Sequence, residues 1–315
     1  MTGESGSSKP TGTLRAVGAL LGTFVGDALG MPWEGAPPDA IPDVLGMEDR
    51  RLGAGTYTDD TEMMIALAES LLRCDGVDED DLARTFLAAY DPRRGYGAGT
   101  TQILDLWRKG VRVEEAAGRI FGGQGSLGNG AAMRIAPVSV RFWQDRVMTS
   151  SAARRSARLT HAHPVGIDGA AVQAAAIVAA LNDDDPLAAA LTEAQTAEMH
   201  GALADLGART DGAMKPHDLG EGRGVPPTAN RSVAAAVVAA SRAGSFEAAV
   251  TAAIRAGGDT DTVGAMAGAI AGARFGAAAM PARWIERLED GERGRRHVEA
   301  LATRLMRPRA DATLS

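Results

Sequence analysis

Residues 256–276 read AGGDTDTVGAMAGAIAGARFG. Gly264, Gly268, Gly272 and Gly276 recur every fourth position, which on a helix gathers them on one face. A face without side chains lets a neighbouring backbone approach closely. Directly ahead of it, after two glycines, stand Asp259, Thr260, Asp261 and Thr262. The stretch predicts a helix over 262–274, packed tightly in the core, with two carboxylates and two hydroxyls at its mouth.

The composition points the same way. Of 315 residues 45% are hydrophobic but only 4% aromatic, and much of the apolar content is alanine. Alanine has the best helix propensity and aromatics favour strands, so closely packed helices are expected rather than sheets. Helical spacing predicts segments at 14–29, 60–73, 78–89, 99–109, 113–120, 148–158, 166–181, 186–204, 230–243, 245–255, 262–274 and 281–290, with prolines and glycines at nearly every junction. One strand is expected at 135–142, weakened by Pro137. The polar stretch 205–232 reads as a surface loop. The whole reads as one all-α domain over 13–295, between a disordered tail at 1–12 and a charged tail at 296–315.

The formal charge of −7 argues against sequence-independent nucleic-acid binding, which needs a basic surface. The single cysteine, Cys74, cannot form an internal disulfide and fits a reducing compartment. The N-terminus lacks the apolar core of a signal peptide. No apolar run reads as approaching the roughly 20 residues that span a bilayer. A soluble, cytoplasmic protein is expected, and with no heptad seam, a monomer.

Two acidic segments share a grammar. YTDDTEMM, residues 57–64, and GGDTDTVG, residues 257–264, each place acids and hydroxyls ahead of a helix. Helix capping is one reading, since Asp and Thr are good N-caps and carboxylates complement the helix dipole. Capping needs one such residue per helix, however, and each cluster supplies a surplus. Gathered carboxylates repel unless cations lie among them, and carboxylate and hydroxyl oxygens suit Mg²⁺ or Mn²⁺. Two clusters face to face would form a two-metal hydrolytic centre.

Other marks are weaker alone. GDALGMPWEG, residues 26–35, sets Glu34 on a loop, either as a mobile acid or as an ordinary surface glutamate. GSLGNGAAMR, residues 125–134, flanks Asn129 with glycines, which would bare backbone N–H groups toward a phosphate or make a plain turn. THAHP, residues 160–164, carries His161 and His163.

In this order, and with GYGAGT at 95–100, the series resembles the ADP-ribosylglycohydrolase family from about residue 13 to 280. The resemblance implies an all-α orthogonal helical bundle, a single domain with a central cleft for two Mg²⁺ or Mn²⁺ ions. It implies metal ligands at Thr58, Asp59, Asp60, Asp259, Asp261 and Thr262, and proton transfers by Glu34 or Asp60. Asp27 takes a supporting role. Gly97, Ala98, Gly99, Ser126, Gly128, Asn129, Gly130, Met133 and His161 fall where the family holds ADP-ribose. Leu127 departs from relatives that carry an aromatic there, leaving Phe121 or Tyr96 to stack on adenine. The implied activity cleaves the bond between the distal ribose of ADP-ribose and an acceptor, so the partner is an ADP-ribosylated substrate or ADP-ribose. Two other readings stay open: a non-catalytic, crystallin-like member, and a binuclear-metal hydrolase of another nucleotide, nucleoside or phosphate substrate.

Overall fold

The computed structural model describes residues 11–210, 215–220 and 222–307. The helices, in chain order, begin with α1 Gly12–Gly30, α2 Asp59–Cys74, α3 Glu79–Ala89, α4 Ala98–Arg108, α5 Val113–Ala116 and α6 Ala136–Arg141. There follow α7 Arg146–Arg158, α8 Pro164–Leu181, α9 Pro186–Glu193, α10 Ala197–Arg209, α11 Pro216–Leu219 and α12 Ala229–Arg242. The chain closes with α13 Phe246–Arg255, α14 Thr260–Phe275, α15 Ala282–Ile285 and α16 Arg295–Leu305. Among the described residues no β-strand forms, only isolated bridges between Gly128 and Thr228 and between Val225 and Gly258.

The centre is an antiparallel pair, α1 on α14, in backbone contact. Gly18, Gly22 and Gly26 of α1 face Gly272, Gly268 and Gly264 of α14, so the glycine face has a matching face at the other end of the chain. A methyl group on Gly22 would lie 2.1 Å from the Gly268 carbonyl oxygen, and one on Gly272 would lie 1.9 Å from that of Gly18. Only glycine permits the approach. Thr260 adds a hydroxyl bond of 2.8 Å to the Gly30 carbonyl, tying the first turn of α14 to the last turn of α1. Helices α8, α12 and α13 pack around α14, and α16 packs on α1.

Four expectations are corrected. The strand at 135–142 is α6, with Pro137 in its first turn, where the missing N–H and fixed φ are tolerated. The charged tail beginning at 296 starts as α16, whose Val298, Leu301, Ala302 and Leu305 are buried; alternating charges hid its apolar stripe. The helix at 186–204 is split in two, and Asp168 of α8 holds the break by accepting from the N–H groups of Gln195 (3.0 Å) and Thr196 (2.8 Å). Helices long and apolar enough to cross a bilayer do occur, at Gly12–Trp33 and Pro164–Leu181, but they lie 89% and 83% inside the protein, so their apolar surface is already covered by other helices.

Candidate active site

The site starts from how α1 anchors α2. Asp27, fully buried on α1, accepts from the Thr58 N–H (3.0 Å) and hydroxyl (2.9 Å) and from the Thr61 N–H (3.1 Å) and hydroxyl (2.6 Å). This carboxylate satisfies the free donors at the α2 N-terminus, where such donors have no partner within the helix. Thr58 caps α2 in turn, accepting from the Asp60 N–H. Capping thus accounts for Thr58. It does not account for Asp259, which precedes α14 without any side-chain capping bond.

The mouth of α14 is held by backbone. Gly257 and Gly258 both adopt positive φ, +73° and +77°, a conformation in which a side chain is strained. Gly258 donates to the Ala36 carbonyl (2.9 Å) and accepts from the Gly35 N–H (2.7 Å), fastening the loop that carries Glu34 one residue ahead of Asp259. The stretch expected as a surface loop also enters here. Asp259 N–H donates to the Val225 carbonyl (2.9 Å), and Asn129 N–H to the Pro227 carbonyl (3.3 Å), so residues 225–229 lie stitched between two motifs.

These elements enclose a cavity of about 310 Å³. Glu34, Asp59, Asp60, Asp259, Asp261 and Thr262 meet on its wall. Gly97, Ala98 and Gly99 line it at the α4 N-terminus, and Ser126, Gly128, Asn129, Gly130, Met133 and His161 form another wall. Thr58 is not on the wall; its hydroxyl lies between Asp27 and Asp60. His163 caps α8, accepting from the Val165 N–H. Of the two candidate stacking residues, Phe121 lines the cavity and is half exposed, whereas Tyr96 is turned away and donates to Glu62 (2.5 Å). A separate cavity of about 380 Å³ between α7, α8 and α9 holds none of the acidic motif residues.

Electrostatics set the acidic cluster apart. Burial, reinforced by mutual repulsion with Asp261, pushes Asp59 well above the ordinary carboxylate range and Asp259 up to about 8. Asp60 is raised likewise, by burial and then by Asp27 and Asp261. Its Oδ1 is buried and has no hydrogen-bond partner among the described residues. Asn129 donates to Asp259 and to the Ser232 hydroxyl (2.9 Å), fixing that carboxylate's orientation. A cation reaches the cluster: Arg51 pairs with Glu34 and stands 4.0 Å from Asp261. Nothing in the sequence marks Arg51, because it lies in an aperiodic loop, 17 residues after Glu34.

The ADP-ribosylglycohydrolase family's sequence profile matches residues 9–313. The chain belongs to the ADP-ribosylglycohydrolase family. It is 33% identical to the ADP-ribosylhydrolase ARH3 of Danio rerio, over 85% of this chain and 84% of that one. It is 30% identical to the ADP-ribosyl-(dinitrogen reductase) glycohydrolase of Rhodospirillum rubrum, over 91% and 95%. A solved structure titled ADP-ribosylglycohydrolase-related protein complex superposes with a TM-score of 0.76 at 33% identity, covering 94% of this chain and 98% of that one. As a member of this family the chain is an enzyme of the ADP-ribosyl hydrolase class.

Whether this member's residues suit a divalent cation is a question of donors. Among the described residues no three His, Cys, Asp or Glu side chains close into a ready-made cage. The cluster nonetheless fits: its donors are all oxygens, its carboxylates repel one another, and Asp60 Oδ1 is buried without a partner among those residues. A hard cation would satisfy each of these.

Proposed function

We propose that the chain frees ADP-ribose from an acceptor by hydrolysing the glycosidic bond at the anomeric carbon of the distal ribose. One observation carries this reading: a single cavity is lined both by a carboxylate cluster and by the N-terminus of α4 with the glycines beside Asn129. The α4 N-terminus and the glycines around Asn129 suit phosphates, since helix N-terminal amides carry partial positive charge. Phe121, exposed beside Gly99, suits the face of a purine. The nucleotide would then run from Phe121 toward the acids, with its distal ribose among them.

Asp59, Asp60, Asp259, Asp261 and Thr262, with Thr58, would hold two Mg²⁺ or Mn²⁺ ions. When bound, such ions supply Lewis acidity toward ribose oxygens and ease ionisation of water. The carboxylates stabilise positive charge developing on the ribose, as in other glycoside hydrolyses. Glu34 stands at the cavity edge, partly exposed and steered by Arg51, where its carboxylate can take a proton from the attacking water and pass it to the departing acceptor atom. Asn129 keeps Asp259 aimed inward. The acceptor would leave through an open groove of about 670 Å³ that shares Glu34, Pro227 and Asp259 with the cavity.

Calorimetric titration of ADP-ribose, with Mg²⁺ or Mn²⁺ and again after chelation, tests the site. Metal-dependent binding is expected, with release of free ADP-ribose from ADP-ribosylated peptides. Asp60→Ala and Asp259→Ala should fold yet lose turnover. Full activity in either variant, or in excess chelator, would refute the mechanism. Free phosphate or a released base as product would favour the altered-substrate reading.

A further inference from the structure

Behind the wall of the cavity lies a buried cation that the mechanism above does not use. Arg134 is completely inaccessible. Its guanidinium donates to the Gly130 carbonyl (3.0 Å), the Ser156 carbonyl (3.3 Å) and the Thr160 hydroxyl (2.8 Å), and rests over the ring of Phe86. Among the described residues no carboxylate pairs with it. Burial pushes it down to about 10, so it remains a cation at neutral pH.

The consequence runs through Thr160. A guanidinium has donors and no acceptor. Thr160 Oγ1 therefore accepts a hydrogen bond from Arg134 and must direct its own hydrogen elsewhere. The neighbour in reach is His161 Nδ1, at 2.8 Å. Nδ1 is then the acceptor, the ring is neutral, and its one proton sits on Nε2. In the opposite tautomer Thr160 would accept twice, leaving its buried hydrogen without a partner. Nε2 is also the ring nitrogen nearer Gly130, with which His161 lines the cavity: a methyl group on Gly130 would lie 3.7 Å from it. Burial, with Arg134 next in effect, pushes the imidazole down to about 3 against a backbone hydrogen bond at Gly128, itself on the cavity wall, that raises it, so the ring stays uncharged.

We propose that Arg134 and Thr160 are positioning residues that lock His161 as a neutral Nε2–H donor, so that this wall takes an accepting oxygen of the ligand and turns away a donor such as an amino group. The assignment of that oxygen to ADP-ribose rests on the function proposed above; the tautomer does not. A phosphoryl oxygen and a ribose hydroxyl present the same chemistry to Nε2–H.

Nitrogen-15 NMR of the histidine rings in the free wild-type protein, with His161 assigned by its loss in His161→Gln, tests the lock directly. The Nε2–H form is expected at neutral pH. Thr160→Val keeps the shape but removes the relay; it should give mixed tautomers and an affinity for ADP-ribose about tenfold lower, the scale of one lost hydrogen bond. Thr160→Ser should restore both. Parallel loss toward ADP but not adenosine identifies a phosphoryl oxygen, and loss toward ADP-ribose alone identifies the distal ribose. A merely structural Thr160 would lower the melting temperature of Thr160→Val without moving the tautomer. An Nδ1–H ring or an imidazolium in the wild type overturns the proposal, as does unchanged tautomer and affinity in Thr160→Val. Wild-type protein that fails to bind ADP-ribose would instead remove the proposed function and leave the NMR result to decide the lock.

Discussion

Asp27 and Asp259 each follow a glycine and sit at the junction of α1, α2 and α14, yet they do different work. Asp27 is consumed by hydrogen bonds to Thr58 and Thr61, whereas Asp259 faces the cavity among other acids. Asp27→Asn turns one accepting oxygen into a donor facing donors. It should cost about 2–4 kcal/mol of stability, read by urea denaturation. Asp259→Asn relieves repulsion, so it should leave stability near wild type while lowering turnover at least about 10²-fold. Equal stabilities for the two variants would contradict this division. The acidic pairs were legible because their surplus over capping is a local fact of composition. Arg51 was not, since its contact with Glu34 depends on how an irregular loop returns to the cleft.

For the helices, glycine spacing carries the argument. Gly22→Ala puts a methyl group 2.1 Å from the Gly268 carbonyl oxygen and should destabilise by about 3 kcal/mol or more. Gly201→Ala, on an exposed helical position with nothing within 4 Å, should instead gain about 0.5–1 kcal/mol from helix propensity. Thermal melts of the two variants check the contrast. The α2–α3 junction supplies a pH test. Asp81 accepts from Arg73 (2.6 Å) and Ser70 (2.7 Å), and Arg73 above all holds its carboxyl down to about 2. A folded value below the ordinary 3.8 means that this stabilisation is complete above about pH 4 and is lost as pH falls toward 2. Because Arg73 is half exposed, solvent screening limits the effect to about 1 kcal/mol. Asp81→Asn should lack that share of the acid-induced loss. An acid limb as steep as wild type would count against the ion pair. Most helix positions were legible from periodicity; α16 and the strand-like segment that became α6 were not, because charge density and β-branched residues masked them.

For the whole molecule, the two ends of the chain build one centre. α1 and α14 lie far apart in sequence yet touch through backbone, and α16 closes over α1 with Leu301 buried. Leu301→Ala should cost about 2–4 kcal/mol in chemical denaturation; a residue in a solvated tail would cost almost nothing. Local pattern was enough for the all-α class, the family and the acidic motifs, because propensity, glycine spacing and surplus charge are properties of short stretches. Which residues share a wall was decided by the packing of distant segments: Asp27 against Thr58, residues 225–229 between two motifs, Arg134 behind His161. Those contacts depend on how the backbones of α1 and α14 meet, and a single stretch shows one face of that meeting without its partner.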